Sequence, residues 1–444
     1  MLLKYNVSNF KSIGHLIEFS MMPTKEDVDD QFIKVIDTKA GKWKVLRRGG
    51  FFGPNASGKT TFIESVDFAR DMIVNGRKSG KGTGVNQFKG EFDDLEEKST
   101  FQFMFYLNGD VYEYGFSIGN RQIYEEWLMI LTEKDFAPLF IRVTDDNGKT
   151  QIDVESKFAR KGSKERNLVE VLKESIQENQ KNQLYLYKLY DNGVKKAEHI
   201  VEWFRHLQVI FPKTKVQGLP LHMRVDEGFQ SFVSESLRKL DTGVAKISVV
   251  SDEIDFHEFA QKLDIPKEII EEIEEVKNGI VSMGGKYFIF GEGRKNRTVL
   301  VQIKFEHYLN GKNIDFNIED ESDGTQRLLD LLPILFAMGE KSQTIYFVDE
   351  IDRSLHTKLS KYLLKEFLKN CEETYSQIVF TAHDVNLINL EDFERNEIWF
   401  VEKKSLGESQ LKPLSDFDIR TDQDMLKAYL CGRFGAIPAI KERN

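Results

Sequence analysis

Hydrophobic and polar residues follow two different periods along this chain, and the change of period divides it into segments. The chain opens with apolar residues at every second position, Leu3, Tyr5 and Val7, which is typical of a half-buried strand. The same pattern predicts four further strands, at 100–107, 111–118, 123–131 and 139–143. Asn108-Gly109 is a strong hairpin turn between the first two of these strands. The first part of the chain therefore predicts an antiparallel sheet.

The middle of the chain follows the period of amphipathic helices, with apolar residues every three or four positions. Helices are predicted at 167–182, 195–211, 227–240 and 266–281. This stretch is also rich in Lys, Glu and Gln. We therefore predict a mostly helical insertion, 156–285, between two halves of one domain, 1–155 and 286–444.

In the last third of the chain, strand patterns return and alternate with helices. The predicted elements are strands at 286–290 and 298–305, a helix beginning near Gly324, a strand at 344–348, a helix at 358–370 and a strand at 377–381. The run at 344–348 is continuously apolar, as expected for a buried parallel strand. Alternating strands and helices predict an α/β fold.

A glycine-rich motif lies between a short apolar stretch, 45–52, and a helix predicted at 59–74. Gly53-Pro-Asn-Ala-Ser-Gly-Lys-Thr60 fits G-x-x-x-x-G-K-[ST], in which backbone N–H groups surround phosphates, Lys59 contacts them and Thr60 offers a hydroxyl to Mg²⁺. The Asn-Lys-x-Asp motif that reads guanine does not occur in the sequence. The chain is therefore predicted to be a P-loop NTPase that uses ATP and Mg²⁺. The predicted nucleotide-binding residues are Asn55, Ala56, Ser57, Gly58, Lys59, Thr60 and Thr61.

Acidic residues follow the buried strand at 344–348. Asp349 is placed to hold Mg²⁺ together with Thr60, and Glu350 to orient and activate an attacking water. His383 ends the next predicted strand, a position that points toward the γ-phosphate side of such a site. We therefore predict Glu350 and His383 as the catalytic residues.

A polar segment, Glu321-Ser-Asp-Gly-Thr325, precedes the helix that begins near Gly324. Ser322 and Gly324 stand where backbone N–H groups at a helix N-terminus can bind an anion. The alternative is a capping sequence in which Ser322 serves only the helix itself. On the first interpretation, both residues contact the nucleotide.

Composition narrows the class of protein. The 444 residues contain only Cys371 and Cys431, which argues against a disulfide framework, and no apolar run is long enough for a membrane helix. The N-terminus lacks the pattern of a signal peptide, so we expect a cytoplasmic protein without a membrane partner. The net charge of −10 does not favour DNA as the main ligand, because DNA binders are usually basic.

Together, these motifs resemble those of the ABC-type ATPase branch that includes the SMC, RecF and OLD proteins. Val7-Ser-Asn-Phe-Lys-Ser-Ile13 is similar to the opening strand and turn of that branch. Tyr429–Pro438 and Lys239–Gly243 are most similar to the AAA-15 type ATPases, among them RloA, AbiLi and the AriA ATPase of the PARIS antiphage system. The likeness is strong over 1–150 and 296–440. It implies an ABC/SMC-head-like ATPase domain with a mostly helical insertion.

The resemblance implies a nucleotide site that is completed by a second copy of the chain. Ser322 and Gly324 of one subunit would contact the γ-phosphate held by the P-loop of the other. Glu350 would be the general base and His383 the switch histidine. The signature Ser-Asp-Gly-Thr departs from the Ser-Gly-Gly-Gln of transporters, which leaves the strength of dimerisation open.

Two further features of the branch bear on this chain. A glutamine that senses Mg²⁺ normally follows the P-loop, and both Gln87 and Gln102 are candidates. OLD nucleases carry a C-terminal Toprim domain, for which the segment after Glu350 is too short once it has completed the ATPase sheet. Any nuclease is therefore expected to be a separate partner.

These implications lead to a functional hypothesis and an alternative. The chain would be an ATPase of a bacterial antiphage defence system, with slow, regulatory hydrolysis. It would form a homo-oligomer through its nucleotide sites, sense a phage-encoded trigger protein and control a separately encoded, toxic Toprim-type nuclease. The alternative is a RecF/SMC-like ATPase of DNA repair or maintenance that binds DNA directly. A nucleotide-gated scaffold with negligible turnover is a third reading.

Other stretches allow two interpretations each. The basic segments 77–84 and 157–166 are either solvated loops or surfaces for nucleic acid or an acidic protein. The aromatic group Tyr185, Tyr187 and Tyr190 is either helix core packing or a partner surface.

Overall fold

The computed structural model describes most of the chain, with short gaps and a longer one at the C-terminus. The described residues are 1–24, 28–78, 80–90, 97–145, 147–216, 218–262, 265–274, 278–283, 285–291, 298–337, 343–388, 390–404, 406–417, 427, 429 and 431. They form two compact units. The first unit comprises Met1–Pro212, Lys341–Asp352 and Ser360–Asn444, and the second comprises Lys213–Glu340 and Arg353–Leu359.

The strands, in chain order, are β1 (Leu2–Ser8), β2 (Ile17–Ser20), β3 (Ile33–Thr38), β4 (Gly41–Leu46), β5 (Arg48–Phe52), β6 (Ser99–Leu107), β7 (Asp110–Ile118), β8 (Ile123–Leu131), β9 (Phe136–Thr144), β10 (Thr150–Val154), β11 (Leu207–Ile210), β12 (Val244–Ile254), β13 (Gly279–Met283), β14 (Lys286–Phe290), β15 (Thr298–Leu309), β16 (Lys312–Phe316), β17 (Ile345–Val348), β18 (Gln377–Ala382), β19 (Ile398–Lys403) and β20 (Ser409–Pro413).

The helices, in chain order, are α1 (Lys59–Asn75), α2 (Lys164–Asn179), α3 (Tyr185–Asp191), α4 (Lys195–Arg205), α5 (Leu219–Val225), α6 (Glu227–Lys239), α7 (Phe256–Lys262), α8 (Lys267–Glu274), α9 (Asp323–Ala337) and α10 (Thr357–Asn370). None of the helices in the described part of the chain is long and apolar enough to cross a membrane.

The first unit contains an antiparallel sheet of seven strands, in the order β10-β9-β8-β7-β6-β1-β2. Side chains along β6 alternate between buried and half-buried positions, so one face packs on the core. The predicted hairpin is present, because Leu107 pairs with Asp110 across the two-residue turn. Asn108 and Gly109 both have positive φ angles, of 52° and 88°, as a tight primed turn requires.

The second sheet of the first unit carries the predicted motifs. Its order is β11-β17-β18-β5-β19-β20, and every neighbouring pair is parallel except β19 with the edge strand β20. β5, β17 and β18 are buried along their whole length. Since β18 lies between β5 and β17, the carboxyl ends of these three strands meet at one edge.

Aromatic packing fixes α1 against the two sheets. Phe62 of α1 contacts Phe51 of β5 edge-to-face at 4.6 Å between ring centroids and Phe19 of β2 at 5.6 Å. All three rings are buried. Each contributes about 1.5–3 kcal/mol through its removal from water. This packing sets the position of the helix that begins at the phosphate-binding motif.

A buried ion pair anchors the start of β5. The Arg48 guanidinium lies 2.9 Å from Glu397 and 3.6 Å from the centre of the Phe393 ring, and the side chains of Arg48 and Glu397 are both fully buried. Burial raises the pKa of Glu397, and the charge of Arg48 opposes that shift. Loss of either partner would leave an unpaired charge buried in the core, so the pair fixes the position of β5.

The second unit contains an antiparallel sheet in the order β12-β15-β14-β13, with β16 also paired to β15. α6 packs against α9 through Phe229 and Phe336, whose ring centroids are 4.8 Å apart. Lys215 forms an ion pair with the mostly buried Asp330 of α9 at 3.2 Å. The predicted segment boundaries, after residues 155 and 285, fall inside the first and the second unit respectively.

Several predicted elements match the structure, and others do not. The α/β prediction is confirmed, as are the strands that flank Asn108-Gly109 and the helix that begins at Lys59. The helix predicted at 195–211 is wrong at its end, because α4 stops at Arg205 and β11 pairs in parallel with β17. The helix predicted at 266–281 is also wrong at its end, where Gly279–Met283 forms β13. The prediction missed β12 entirely.

Candidate functional site

The phosphate-binding motif forms the turn between β5 and α1. Its backbone needs unusual angles, with φ of 63° at Ala56 and 113° at Gly58. A Cβ on Gly58 would come within 2.0 Å of the Ser409 hydroxyl, and one on Gly53 within 2.2 Å of the Val401 carbonyl oxygen. Close packing therefore requires glycine at both positions, and the positive φ of Gly58 requires it there as well.

Lys59, the first residue of α1, folds back over its own loop. Its ammonium donates to the carbonyl oxygens of Gly53 at 2.6 Å and Pro54 at 3.1 Å. Burial lowers the pKa of Lys59 to about 8, although the carboxylates of Asp349, Asp352 and Glu350 oppose the shift. The lysine is thus a partly desolvated cation at the mouth of the loop, where an anion is favoured.

Asp349 directly follows β17 and is held by hydroxyl groups from two other elements. Thr60 donates to one carboxylate oxygen at 2.9 Å, and Thr381 of β18 donates to the other at 2.7 Å. Asp349 is buried, and this burial raises its pKa while the two hydrogen bonds oppose the rise. The structure therefore brings together Thr60 and Asp349, the two residues that the sequence predicts as metal ligands.

Glu350 and His383 meet beside the lysine. His383 Nε2 lies 3.3 Å from a Glu350 carboxylate oxygen, and its Nδ1 lies 3.3 Å from the Lys59 ammonium. Glu350 has a φ of 49°, and its backbone N–H donates to the Thr381 hydroxyl at 2.8 Å. Backbone strain of this kind persists only where surrounding contacts hold it. The two predicted catalytic residues thus contact each other, and His383 also contacts Lys59 of the phosphate-binding motif.

Asp352 has a clear structural role that the sequence did not reveal. One of its carboxylate oxygens accepts from the backbone N–H groups of His383, at 2.8 Å, and Asp384, at 2.7 Å. It therefore fixes the end of β18, where the histidine stands.

A cluster of hydroxyl groups supports the phosphate-binding loop from the edge strand β20. The Ser409 hydroxyl donates to the Ser57 carbonyl oxygen at 2.7 Å and lies 2.9 Å from the Ser12 hydroxyl. Ser12 also donates to Thr61 at 3.1 Å. The backbone N–H of Ser409 donates to the Ser12 carbonyl oxygen at 2.7 Å. Sequence reasoning could not find this contact, because Ser12 and Ser409 lie 397 positions apart.

We expect Ser409→Ala to weaken nucleotide binding about fivefold, because a loop carbonyl loses its donor and each lost hydrogen bond costs about 1 kcal/mol. Anisotropy of a fluorescent ATP analogue measures the change. Ser231→Ala, at an exposed position on α6, is the matched control and should bind as the wild type does. Equal affinity of Ser409→Ala and the wild type would show that β20 does not set the shape of the loop.

The remaining predicted nucleotide contacts of the first unit differ in their surroundings. Asn55 and Ala56 are exposed at the tip of the loop, whereas Ser57 is buried.

Neither candidate for the Mg²⁺-sensing glutamine bonds to the loop within the described ranges. The Gln87 amide donates to the Glu97 carbonyl, and the Gln102 amide oxygen accepts from Asn6 at 3.0 Å.

Ser322 and Gly324 lie in the second unit, at the start of α9. The Ser322 hydroxyl accepts from the backbone N–H of Thr325 at 3.2 Å, so the capping role weighed for it is present. The Ser322 residue is exposed, and Gly324 is half-buried. A Cβ on Gly324 would come within 2.9 Å of the Ser354 carbonyl oxygen. The helix N-terminus is thus open to solvent on the side where Ser322 stands.

The residues of the first unit fit a nucleotide with Mg²⁺. A hydroxyl from Thr60 and a carboxylate from Asp349 supply the hard oxygen ligands that Mg²⁺ prefers, and Lys59 supplies a cation beside them. No group of three or more His, Cys, Asp or Glu side chains in the described ranges could hold a metal alone.

Solved structures that are similar to this chain include SMC head domains. One is the SMC head domain from Thermotoga maritima, with 13% identity, a TM-score of 0.38 and coverage of 94% of this chain and 99% of that one. An SMC head bound to the C-terminal winged-helix domain of ScpA has 13% identity, a TM-score of 0.42 and the same coverage. An SMC head with an extended coiled coil, bound to the C-terminal domain of ScpA derived from Pyrococcus furiosus, has 13% identity, a TM-score of 0.41 and coverage of 97% and 99%. No curated protein matches the sequence.

A family profile matches residues 50–389, which is more than half of the chain. The match begins within β5, immediately before the phosphate-binding loop, and extends past Asp349, Glu350 and His383. The P-loop NTPase prediction is thus confirmed, and the chain is an ATPase of the AAA type. It belongs to the family described as "AAA domain, putative AbiEii toxin, Type IV TA system".

Proposed function

We propose that this chain is an ATP-hydrolysing switch of a bacterial antiphage defence system. The contact chain from Lys59 through His383 to Glu350 carries the proposal, because it joins the phosphate-binding loop to the acid that would activate water. Because His383 contacts both Lys59 and Glu350, a phosphate bound by Lys59 would alter the position of His383 and so affect Glu350. The arrangement therefore suits a protein in which nucleotide state is converted into a change of conformation.

Each residue of the site has a separate task in this proposal. Lys59 and the loop N–H groups hold the phosphates, and Thr60 and Asp349 hold Mg²⁺, which neutralises phosphate charge when bound. Glu350 accepts the proton of the attacking water. His383 donates to Glu350 and keeps the carboxylate oriented, while Asp352 holds the backbone of His383 in place.

We further propose that the site is completed by a second copy of the chain. Ser322 and Gly324 are the contributing residues, and the exposed N-terminus of α9 supports this role because its backbone N–H groups favour an anion. Hydrolysis would be slow, because a switch needs ATP to persist while it holds a conformation. The chain would thus form a homo-oligomer through its nucleotide sites.

The partners in this proposal are a phage-encoded trigger protein and a separately encoded, toxic nuclease of the Toprim type. The family description, which names a toxin of a type IV system, supports a role in defence. The finer resemblance to the AAA-15 type ATPases, on Tyr429–Pro438 and Lys239–Gly243, supports the choice of partners. Most of Tyr429–Pro438 lies outside the described residues.

A plating assay tests the proposed role. The chain is expressed with its flanking genes in a bacterial host, and a panel of phages is plated. We expect fewer plaques for at least one phage, and a return to full plating when Lys59→Ala removes the phosphate contact. Lys369→Ala, at an exposed position of α10, is the control and should protect as the wild type does. Equal plaque numbers with and without the chain, for every phage, would contradict the role in defence.

A further inference from the structure

A groove lies at the C-terminal end of α1, and the phosphate-binding loop lies at the opposite end of the helix. It has a volume of about 570 Å³ and is open to solvent, and its lining includes Arg77, Lys78, Lys81, Gln183 and Tyr187. α1 has 17 residues, so about 25 Å separates its two ends. The groove is therefore distinct from the nucleotide site, although the same helix connects the two.

The wall of this groove is built on a buried ion pair. Glu126 and Arg142, both fully buried, lie 3.6 Å apart on β8 and β9. Glu126 accepts from the backbone N–H groups of Tyr185 at 2.7 Å and Leu186 at 2.9 Å, at the start of α3. Arg142 donates to the Gln183 carbonyl oxygen at 2.6 Å. The pair thus fixes the segment 181–186 against the sheet.

That segment in turn holds the basic loop after α1. The Asn182 amide donates to the carbonyl oxygens of Lys78 and Lys81, both at 2.8 Å. The Gln183 amide donates to the Arg77 carbonyl oxygen. The backbone carbonyl groups of the basic loop are therefore hydrogen-bonded to side chains of the groove wall. The groove is shaped by side chains that are themselves fixed, rather than by an unsupported loop.

The charge of the groove is positive in a chain whose net charge is −10. Arg77 pairs with Asp71 at 2.6 Å and has a structural task. Lys78 and Lys81 are exposed, and within the described ranges neither side chain forms an ion pair or hydrogen bond. Both lysines line the groove, and two cations without an ion-pair partner on one surface attract an anion.

Tyr187 adds an aromatic surface beside these cations. Its ring packs on Gly76, where a Cβ would come within 2.3 Å of it, so the ring is held in place while the residue stays half-buried. Tyr185, by contrast, is fully buried and donates to the Val169 carbonyl oxygen, so the two tyrosines have different tasks. Cations beside an aromatic ring are the elements that bind a nucleic acid strand with unpaired bases.

We propose that this groove binds single-stranded nucleic acid. Lys78 and Lys81 contact successive phosphates, and Tyr187 stacks on a base. A single strand fits better than a duplex, because the bases of a duplex are not available for stacking. This inference goes beyond the proposed switch function, since neither the nucleotide site nor a second subunit takes part in it.

Anisotropy of a fluorescent oligothymidine of about 20 nucleotides tests the proposal. Saturating ATP is included so that the nucleotide site cannot hold the probe. We expect salt-dependent binding that falls at least tenfold in the variant that carries Lys78→Glu and Lys81→Glu. The slope of log affinity against log salt should decrease by about 1.4, which corresponds to two phosphate contacts on a single strand. Lys157→Glu with Lys161→Glu, two exposed lysines elsewhere, is the matched control and should leave binding unchanged.

A second pair of variants tests the aromatic contact. Tyr187→Leu keeps an apolar side chain on Gly76 and should weaken binding about fivefold or more, whereas Tyr187→Phe keeps the ring and should bind normally. Thermal melts check that each variant folds. A strand that does not bind, or that binds equally well to the double lysine variant, would overturn the proposal. Competition provides a further test, in which polyglutamate or free thymidine monophosphate is added at a concentration of carboxylate or phosphate groups equal to that of the strand. Displacement of the strand by either competitor would overturn the proposal, because the groove would then be a general anion site.

Discussion

Replacement of Glu350 by glutamine is expected to lower ATP turnover by about 100- to 10,000-fold while nucleotide binding stays close to that of the wild type. Glutamine has nearly the same shape as glutamate, but its amide cannot accept a proton from water. The contact with His383, at 3.3 Å, can persist through the amide oxygen. Phosphate release measures turnover, and anisotropy of a fluorescent ATP analogue measures binding.

Two controls separate this result from general damage. Glu373→Gln, at an exposed position after α10, should leave both measurements unchanged. His383→Ala should lower turnover less than Glu350→Gln does, because the histidine orients the carboxylate and does not itself accept the proton. If Glu350→Gln hydrolysed ATP at more than a tenth of the wild-type rate, another group would be the base. If the wild type showed no turnover, the nucleotide-gated scaffold would be the better reading.

The second large effect is expected for Ser322→Arg, which should abolish turnover and leave nucleotide binding to the P-loop intact. The arginine would fill the space in front of the α9 N-terminus and prevent its approach to a nucleotide on another subunit. Ser322 also caps the helix, and removal of a cap costs about 1 kcal/mol. Ser322→Ala therefore serves as the control, since it removes the cap without adding bulk. Ser322→Ala should keep more turnover than Ser322→Arg, and equal loss in the two variants would show that the bulk of the arginine has no effect of its own.

Mixing two inactive variants gives a sharper test of the shared site. In a mixed dimer of Ser322→Arg and Glu350→Gln, one site receives an intact Glu350 from the first subunit and an intact Ser322 from the second. Random pairing makes half of the dimers mixed, and each holds one intact site of two, so turnover should recover to about a quarter of the wild-type value. A mixture that stays as inactive as its components would contradict the cross-subunit site.

The sequence predicted the phosphate-binding loop with its flanking strand and helix, because that motif is local. Gly53 and Gly58, the strand before them and the helix from Lys59 follow one another along the chain, and each needs only its neighbours to be recognised. The strand that precedes Asp349 was also predictable from the sequence, since a fully buried parallel strand is a continuous apolar run.

Helix and strand were confused where short apolar runs have no clear period. In the sequence, Leu207–Ile210 continues the helical pattern of α4, but in the structure its backbone groups pair with β17. β12 was missed because many of its 11 residues are exposed or half-buried, and only its pairing with β15 along almost its whole length makes it a strand. In both cases a distant partner decides the structure, and a window of neighbouring residues does not contain it.

The sequence by itself thus determined the class of the protein, an ATPase, through the composition and spacing of one loop and one acidic segment after a strand. Only the tertiary structure decided how those residues are held. The position of β18 between β5 and β17 brings Thr381 to Asp349 and His383 to Glu350, and it lets Asp352 fix the histidine backbone. The physical reason is that a hydrogen bond depends on distance in space, and the partners here are separated by long stretches of chain that sheet pairing alone brings together.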